Sequence, residues 1–276
     1  MPSLEEAVSL GFLQGIAEFL PISADGHLAL AETLLAVGAP ERSPNPSWLA
    51  LHALLQAGTL LAALVYFHER LFSFSKELWG CLKARRWPLP GASGWDGVVV
   101  FVAGISALVL LLATERATSA WRARPLGIGF GFILTALALT STLWARPGTR
   151  SSVALSGAVL LGLAQGFAAL PGTSRCAFAL TAALWLELRP DRALELALTS
   201  TLLPMAGTVL LRLLVAERLP GSFLPLAAGG LVALLAGLLS LRLLRRALSR
   251  GYLAWFALWM LPLALATLAL AKAWPR

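Results

Sequence analysis

The chain has 276 residues; 58% are hydrophobic, only 13% are charged, and the mean hydropathy is +0.77. Because soluble domains average about 25% charged residues, we predict one integral membrane domain over residues 1–276 and no separate soluble domain. The formal net charge of +8 does not indicate a nucleic-acid partner, since most Lys and Arg residues lie in short loops between apolar segments. Basic loops of this kind are typical of membrane proteins beside anionic lipid.

Eight hydrophobic segments follow one another along the chain, and six are long enough to cross a membrane, which takes about 20 mostly apolar residues. The six lie at 47–67, 97–114, 125–145, 193–215, 222–241 and 252–271. The other two are broken in the middle, 4–36 by Pro21 and Gly26 and 152–187 by Pro171 and Gly172. We predict an all-α polytopic membrane protein with six transmembrane helices and two re-entrant helical hairpins; single Pro-kinked spans are the alternative.

Two similar strings indicate an internal repeat. The first, QGIAEFLPIS, runs from Gln14 to Ser23, and the second, QGFAALPGTS, runs from Gln165 to Ser174. Repeat halves of about 1–146 and 147–276 would each hold one broken segment and three spans. Because an odd number of spans separates the broken segments, the halves should have opposite orientation, with a binding site where they meet.

Loop charge predicts how the spans are oriented. Thirteen Lys and Arg residues fall in loops on one side of the six spans and seven on the other. The positive-inside rule places the larger set in the cytoplasm and both termini outside. The long loop at 72–96 mixes Trp79 and Leu82 with Lys83 and Arg85, which predicts an amphipathic segment on the cytoplasmic surface.

Ionisable residues at membrane depth are costly unless paired or wetted, so each is a functional candidate. In the broken segments these are Glu18, Asp25, His27 and Arg175. Glu18 shares a helix face with Gln14 and can hold a metal or move a proton. His27 can attack phosphorus or relay a proton. Two alternatives stay open: Glu18 and Arg175 could only pair with each other, and His27 could be a buried histidine with satisfied hydrogen bonds.

The turns after Pro21 and Pro171 should each present a helix N-terminus, whose N–H groups attract anions. The guanidinium of Arg175 matches the oxygens of a phosphate. An anion site, a carboxylate and a histidine in one place predict phosphoryl chemistry on a lipid headgroup.

For four further polar residues in the spans, the sequence predicts a location or a role. His52 and Gln56 share a helix face and either line the same cavity or serve packing. Arg212 should snorkel to the membrane interface. Glu195 is expected beside Arg175.

At these residues the chain resembles the undecaprenyl-diphosphate phosphatase family linked to bacitracin resistance. The family's first motif is close to Q/E-x-x-x-E-F-L-P-x-S-S-x-G-H, and the matching residues are Gln14, Glu18, Phe19, Leu20, Pro21, Ser23, Gly26 and His27. The second is close to P-G-x-S-R-S-G-x-T, and the matching residues are Pro171, Gly172, Ser174 and Arg175. A stretch similar to the family's Q-L-G-x-x-x-A begins at Gln56, and the likeness covers nearly the whole chain.

The resemblance implies an enzyme of the bacterial inner membrane. It would hydrolyse undecaprenyl diphosphate to undecaprenyl phosphate and phosphate, recycling the carrier lipid for peptidoglycan synthesis. The expected partners are the polyprenyl diphosphate lipid and the bilayer, without nucleic acid, and a homodimer is left open.

From the residues and the resemblance together we predict three sets of site residues. The catalytic set is Glu18, Ser23, His27 and Arg175. The substrate-binding set is Gln14, Asp25, Gly26, Gly172, Thr173 and Ser174. Glu18 and Asp25 are the expected ligands of a divalent cation, Mg²⁺ or Ca²⁺.

The chain departs from the family pattern where three hydroxyls are missing. Ala24 stands in place of the second Ser, Cys176 in place of a Ser and Ala179 in place of the Thr. We expect Ser23 to contact phosphate instead, and Asp25 to hold His27 or a cation. The alternatives are a polyprenyl-phosphate transporter or flippase without hydrolase activity and a non-catalytic lipid-binding protein.

Overall fold

A computed structural model describes residues 3–37, 46–122, 124–146, 148–215 and 223–273. In these ranges the chain forms twelve α-helices, joined by turns and short 3₁₀ segments, and no β-sheet. The first six helices are α1 (Leu4–Phe19), α2 (Ala24–Val37), α3 (Pro46–Tyr66), α4 (His68–Lys83), α5 (Ser93–Arg122) and α6 (Pro125–Ser141). The others are α7 (Leu155–Gly166), α8 (Arg175–Trp185), α9 (Pro190–Ser200), α10 (Leu202–Val215), α11 (Leu224–Ser249) and α12 (Phe256–Ala273).

Six segments are long and apolar enough to cross a membrane, which confirms the predicted all-α polytopic fold. They are Trp48–Tyr66, Ser93–Thr114, Pro125–Trp144, Pro190–Val215, Leu224–Ser249 and Leu253–Ala271. The fourth consists of two helices, α9 and α10. In a continuous α-helix the ring of Pro204 would clash with the backbone carbonyl of Ser200, four residues earlier. The fifth continues past the predicted end at 241, while residue 222, its predicted start, lies outside the described residues.

Each broken segment consists of two short helices in contact with each other across a Pro-containing turn. In the first, 16-residue α1 precedes 14-residue α2. In the second, 12-residue α7 precedes 11-residue α8. None of these helices reaches the roughly 20 residues of a span. That the two hairpins re-enter the membrane from opposite faces stays a prediction.

The helices of the two predicted halves pack in a reciprocal way. α1 packs against α11 of the other half, and α7 packs against α5, while α6 and α12 pack against each other. Both hairpins use glycine for close approach: a Cβ on Gly15 would lie 2.6 Å from the Cβ of Ala236, and one on Gly166 would lie 2.8 Å from the Cβ of Leu110. Small residues of this kind let membrane helices pack tightly. The boundary of the halves near 146 stays a prediction, and Pro147 lies outside the described residues.

The segment after α3 forms helix α4, which lies against α5. Phe74 and Cys81 are buried on one face of α4, whereas Trp79 and Leu82 are exposed on the other. A helix with one buried face therefore occupies the start of the 72–96 segment. Its location on the cytoplasmic surface stays a prediction, as does the orientation from loop charge, part of which rests on Arg42, Arg218 and Arg276 outside the described residues.

A network of charges, buried at Arg192 and Asp96, holds α4, α5 and α9 together. Arg192 donates to Asp96 over 2.5 Å and pairs with Glu195 at 2.8 Å. Arg70 donates to both carboxylate oxygens of Glu195, at 2.6 and 2.8 Å. The expectation that Glu195 supports Arg175 is therefore wrong: on α9 it lies one turn from Arg192, and two arginines compensate its buried charge.

Candidate functional site

The turns of the two hairpins meet inside the protein. We call residues 20–27 the first tip and residues 170–175 the second tip. A Cβ on Gly26 of the first tip would lie 2.8 Å from the Cα of Gly172 in the second. The Sγ of Cys176 donates to the backbone carbonyl of Phe19 over 2.8 Å. The sequence-predicted residues of both repeats thus share one site.

Ser23 gives the first tip its shape. Its φ of 70° lies in the left-handed region, which costs a residue with a side chain about 1 kcal/mol or more. Its Oγ accepts the N–H of Gly26 at 3.2 Å and so caps the start of α2. Backbone strain of this kind is concentrated at functional sites, and here it fixes the direction of the Ser23 hydroxyl.

The second tip is held by helix α6. Gly172 has a φ of +81°, where glycine is favoured. The Oγ1 of Thr135, on α6, accepts a hydrogen bond from the backbone N–H of Ser174 at 3.0 Å. The same Oγ1 lies 3.3 Å from the carbonyl oxygen of Gly172. Ser174 then caps α8 by accepting the N–H of Ala177 at 3.2 Å. The role of Thr135 was not predicted from the sequence. A hydroxyl within an apolar span was the available signal, but it is a weak one because such hydroxyls commonly hydrogen-bond a carbonyl of their own helix.

Thr173 closes the turn of the second tip instead of facing outward. Its Oγ1 lies 2.8 Å from the carbonyl oxygen of Phe167 and 2.6 Å from that of Leu170, within hydrogen-bond distance of both. The side chain is buried at the tip, so Thr173 shapes the anion site and borders it.

Arg175 and Glu18 face each other across the junction of the tips. The Nη1 of Arg175 lies 3.8 Å from the Oε1 of Glu18, and the two side chains are 9% and 10% exposed. The other oxygen of Glu18 accepts from Gln14 at 2.8 Å. Within the described part of the chain, Nε and Nη1 of Arg175 have no hydrogen-bond acceptor. Buried donors normally have partners, so these two donor atoms are an exception among the described residues.

A small cavity lies between the tips, with a volume of about 10 Å³, close to the room that one water molecule needs. It is lined by Glu18, Ser23, Ala24, Asp25, Ala168, Thr173, Ser174 and Arg175. Six of the predicted site residues, drawn from both copies of the repeated motif, therefore surround one small cavity.

A larger cavity of about 420 Å³ adjoins the small one and shares Asp25 and Arg175 with it. Its volume is in the range of ligand-binding pockets. The polar lining residues are Asp25, Glu32, His52, Arg175, Thr208 and Arg212. The apolar lining residues are Leu28, Ala29, Leu49, Leu111, Ala168, Ala169, Pro171, Leu211 and Val215. A ligand with a charged head and an apolar body fits this division.

Arg212 turns into the larger cavity and does not snorkel, so that expectation is wrong. Its Nη1 donates to the Oε1 of Gln56 over 3.0 Å, and its Nη2 lies 3.4 Å from the Oδ1 of Asp25. Gln56 is buried and lies on α3, where His52 lines the same cavity and pairs with Glu32. Buried acceptors on a neighbouring helix thus offer Arg212 better partners than the interface does.

His27 lies beside the site but lines neither of the two cavities described. Its Nδ1 is 2.9 Å from the backbone carbonyl of Ser23, and its Nε2 accepts from the indole of Trp259 at 3.1 Å. Because an indole only donates, Nδ1 carries the proton and donates to Ser23. Both ring nitrogens are thereby used. Asp25 pairs with Arg212, so the expectation that it holds His27 is wrong.

Comparison with known proteins identifies the family. The family model described as "Bacitracin resistance protein BacA" matches residues 7–266. The chain belongs to the BacA family. Among its relatives, the undecaprenyl-diphosphatase of Korarchaeum cryptofilum is 30% identical over 97% of this chain and 99% of its own. Those of Pelobacter propionicus and Alkalilimnicola ehrlichii are both 33% identical; the alignments cover 92% of each chain for the first and 95% for the second.

The departures from the BacA-family motifs have visible structural effects. Ala24 lines the small cavity, so a hydroxyl that relatives would place there is absent. Cys176 uses its thiol to join the tips, and Ala179 is fully buried. Ser23 is the hydroxyl that remains on the first-tip side of the small cavity.

The hydrogen bonds of His27 give it a testable positioning role in the first tip. We expect His27→Ala to lower turnover about 10²-fold, whereas His27→Asn keeps it within about tenfold. The Asn amide can replace the Nδ1–H donor to the Ser23 carbonyl, but it cannot carry a proton at neutral pH. Phosphate release from lipid diphosphate by the purified variants is the measurement. Equal, large losses in both variants would assign proton transfer or nucleophilic attack to His27.

The contact between Gly26 and Gly172 leaves no room for a side chain. A Cβ on Gly26 would lie 2.8 Å from the Gly172 Cα and 2.5 Å from the nearest atom of the Phe132 ring. We expect Gly26→Ala to lower stability by about 1–3 kcal/mol and to reduce activity, since the tips must separate. Thermal unfolding in detergent measures the first effect. Gly80→Ala is the control, because a Cβ on Gly80 of α4 meets nothing within 4 Å; an unfolding temperature unchanged in Gly26→Ala would contradict the tight junction.

Proposed function

We propose that this BacA-family protein hydrolyses undecaprenyl diphosphate to undecaprenyl phosphate and phosphate. The observation that carries the proposal is Arg175, a buried guanidinium with two unused donor atoms, opposite the Glu18 carboxylate at the junction of the two tips. This arrangement suits a phosphate beside a proton acceptor. The names of the relatives, undecaprenyl-diphosphatases at 30–33% identity over nearly the full chain, supply the substrate.

The terminal phosphate of the substrate would bind at the second tip. The planar guanidinium of Arg175 can donate a pair of N–H bonds to its oxygens, and neither Nε nor Nη1 has an acceptor within the described part of the chain. The N-terminus of the 11-residue helix α8 begins at the same residue and adds the favourable end of its dipole. From the first tip, the hydroxyl proton of Ser23 is available to a phosphate oxygen, because its Oγ accepts the N–H of Gly26.

Glu18 would act as the general base. A water in the small cavity would attack the terminal phosphorus while Glu18 takes one of its protons. The new bond joins the water oxygen to phosphorus. The bond that breaks joins phosphorus to the bridging oxygen, which leaves with the lipid phosphate. Arg175 stabilises the negative charge that moves onto the phosphate oxygens.

Two carboxylates would hold a divalent cation, Mg²⁺ or Ca²⁺. Glu18 and Asp25 both line the small cavity, while the described residues contain no cluster of three His, Cys, Asp or Glu side chains. Two carboxylates without a full protein cage suit Mg²⁺, which takes its remaining ligands from substrate phosphates and water. When bound, the cation would neutralise charge on the diphosphate.

The lipid chain would leave the site along the apolar wall of the larger cavity. Leu28, Leu49 and Val215 belong to that wall. A polyprenyl chain that runs from there into the bilayer lets the headgroup reach Arg175 without leaving the membrane. The proposal includes a location in the bacterial inner membrane, a role in recycling the carrier lipid for peptidoglycan synthesis, and no use of nucleic acid.

Transport of a polyprenyl phosphate without hydrolysis is the second candidate. It is favoured by Ala24, which removes a hydroxyl from the lining of the small cavity. Many transporters are also built from internal repeats with broken helices. The two functions make different demands on Glu18: hydrolysis needs it as a base, whereas transport needs only a site that binds and releases the headgroup.

Phosphate release separates the two functions. The purified full chain in detergent is given undecaprenyl diphosphate in Mg²⁺ buffer, then with a chelator. We expect one phosphate released per lipid, loss of release in the chelator and its return on adding Mg²⁺. Translocation of the lipid across liposomes by protein that releases no phosphate would replace the hydrolase with the transporter.

A further inference from the structure

We propose that Arg212 is a second anion-binding residue, which takes the lipid-linked phosphate of the substrate and makes the protein prefer a diphosphate to a monophosphate. The inference rests on the proposed function for the substrate's identity. It adds a residue outside the two motifs and divides the diphosphate between two arginines.

Arg212 and Arg175 line the same cavity from different depths. Arg175 is 9% exposed and borders the small cavity as well. Arg212 is 26% exposed and borders only the larger one of the two. The deeper guanidinium therefore lies next to Glu18 and the water-sized space, and the other lies toward the opening.

Placing the charge of Arg212 within an apolar helix costs free energy, which argues that the residue has a function. It stands in the apolar run from Leu210 to Val215, where a charged residue is expensive unless it serves a site or a partner. It faces Gln56, a neutral amide that is 2% exposed, so the hydrogen bond holds the guanidinium at the cavity without cancelling its charge. The carboxylate of Asp25 is 3.4 Å away and about half exposed, which makes it a weak, water-screened counter-ion.

The guanidinium has donors to offer a phosphate. An arginine carries five N–H groups, and the contacts with Gln56 and Asp25 use one from Nη1 and one from Nη2. A phosphate can therefore bind while Gln56 stays in place. The lipid-linked phosphate of a diphosphate has one negative charge on two non-bridging oxygens, which compete with the half-exposed Asp25 carboxylate for the same guanidinium.

The order of the two phosphates follows from the cavity walls. The phosphate to be removed must lie beside Glu18 and the water-sized space, which places it on Arg175. The lipid-linked phosphate must lie where its chain can reach the apolar wall, and Leu211 and Val215 of that wall flank Arg212 on α10. After cleavage the lipid carries a single phosphate and can engage only one arginine at a time, which favours its release.

Binding of two short-chain lipids tests the inference without relying on turnover. Farnesyl diphosphate and farnesyl phosphate are titrated in Mg²⁺ buffer into the purified Glu18→Gln chain, with and without Arg212→Gln. We expect Arg212→Gln to weaken diphosphate binding about tenfold or more, the usual effect of losing a hydrogen bond to a charged group. Monophosphate binding should stay within about twofold, because a single phosphate can move to Arg175, where Ala168 and Pro171 continue the apolar wall for its chain.

Two further variants complete the test. Arg245→Gln, an exposed position on α11, removes the same charge away from the cavity and should leave both affinities unchanged. Arg212→Lys should fall between parent and Arg212→Gln, because one ammonium replaces a planar fork. Equal weakening of both lipids in Arg212→Gln, or no weakening, overturns the inference.

The outcome is independent of the hydrolase proposal. If the Glu18-containing parent releases no phosphate but the diphosphate preference still depends on Arg212, the hydrolysis fails and the binding role stands. If the parent releases phosphate and the preference survives Arg212→Gln, the binding role fails and the hydrolysis stands.

Discussion

Arg175→Lys is expected to lose phosphate release by about 10²-fold or more while it keeps its positive charge. The loss of a single donor that stabilises transition-state charge typically costs this much. A lysine offers one ammonium group and cannot make two parallel bonds to a phosphate. It would also leave a gap where Nε and Nη1 of Arg175 now lie, buried and without acceptors in the described part of the chain. The measurement is the initial rate of phosphate release under saturating lipid.

The matched control for this substitution is Arg245→Lys on the exposed face of α11, which should retain full activity. Thermal unfolding of Arg175→Lys should stay close to that of the parent, so that lost activity is not lost folding. Near-normal turnover in Arg175→Lys would show that the residue only attracts anions or pairs with Glu18, and the proposed clamp on the terminal phosphate would be abandoned.

Glu18→Gln is expected to lower turnover by about 10²-fold or more, the usual contribution of a general base. Glutamine has the same shape as glutamate, and its carbonyl can still accept the hydrogen bond that Gln14 donates over 2.8 Å. The substitution therefore removes the proton acceptor, the charge opposite Arg175 and one of the two proposed cation ligands, with little change in packing. Single-turnover release of phosphate isolates the chemical step.

Glu5→Gln provides the comparison, because Glu5 is an exposed carboxylate on the same helix α1. It should behave like the parent. Lipid diphosphate should still bind to Glu18→Gln, since the arginines are intact. Should Glu18→Gln hydrolyse at the parental rate, the proton would have to go elsewhere, and the proposed reaction would lose its base.

The spans and the shared site could be predicted because they depend on local sequence. Long apolar runs marked the six spans, and the repeated Gln-Gly and Leu-Pro strings marked both tips. The break between α9 and α10 was missed, although Pro204 was its signal. Apolar composition alone does not distinguish one long helix from two collinear ones.

The support around the tips could not be predicted because it depends on tertiary contacts. Trp259 reaches His27 across 232 residues and Arg212 reaches Gln56 across 156. In the sequence, nothing distinguished Trp259 from the other nine tryptophans, and Arg212 was predicted to snorkel. Only the tertiary structure, with α10 packed against α3 and Trp259 of α12 in contact with His27, shows which polar groups these residues face. The roles assigned to the site residues stay predictions until the variants are measured.

The contact between α1 and α11 has a consequence for how the protein is made. Ser240 of α11 donates to the carbonyl of Gly15 in α1 over 2.9 Å, a contact between residues 225 positions apart. Chains emerge from the ribosome N-terminus first, so α1 waits through the synthesis of most of the protein before its main partner exists. During that time its glycine face and the Glu18 side chain have to be sheltered by neighbouring helices, lipid headgroups or insertion machinery. The packing of α1 is thus completed late in biogenesis, and a chain that stops before α11 leaves its first helix with only its smaller contacts, chiefly those to α2 and α3.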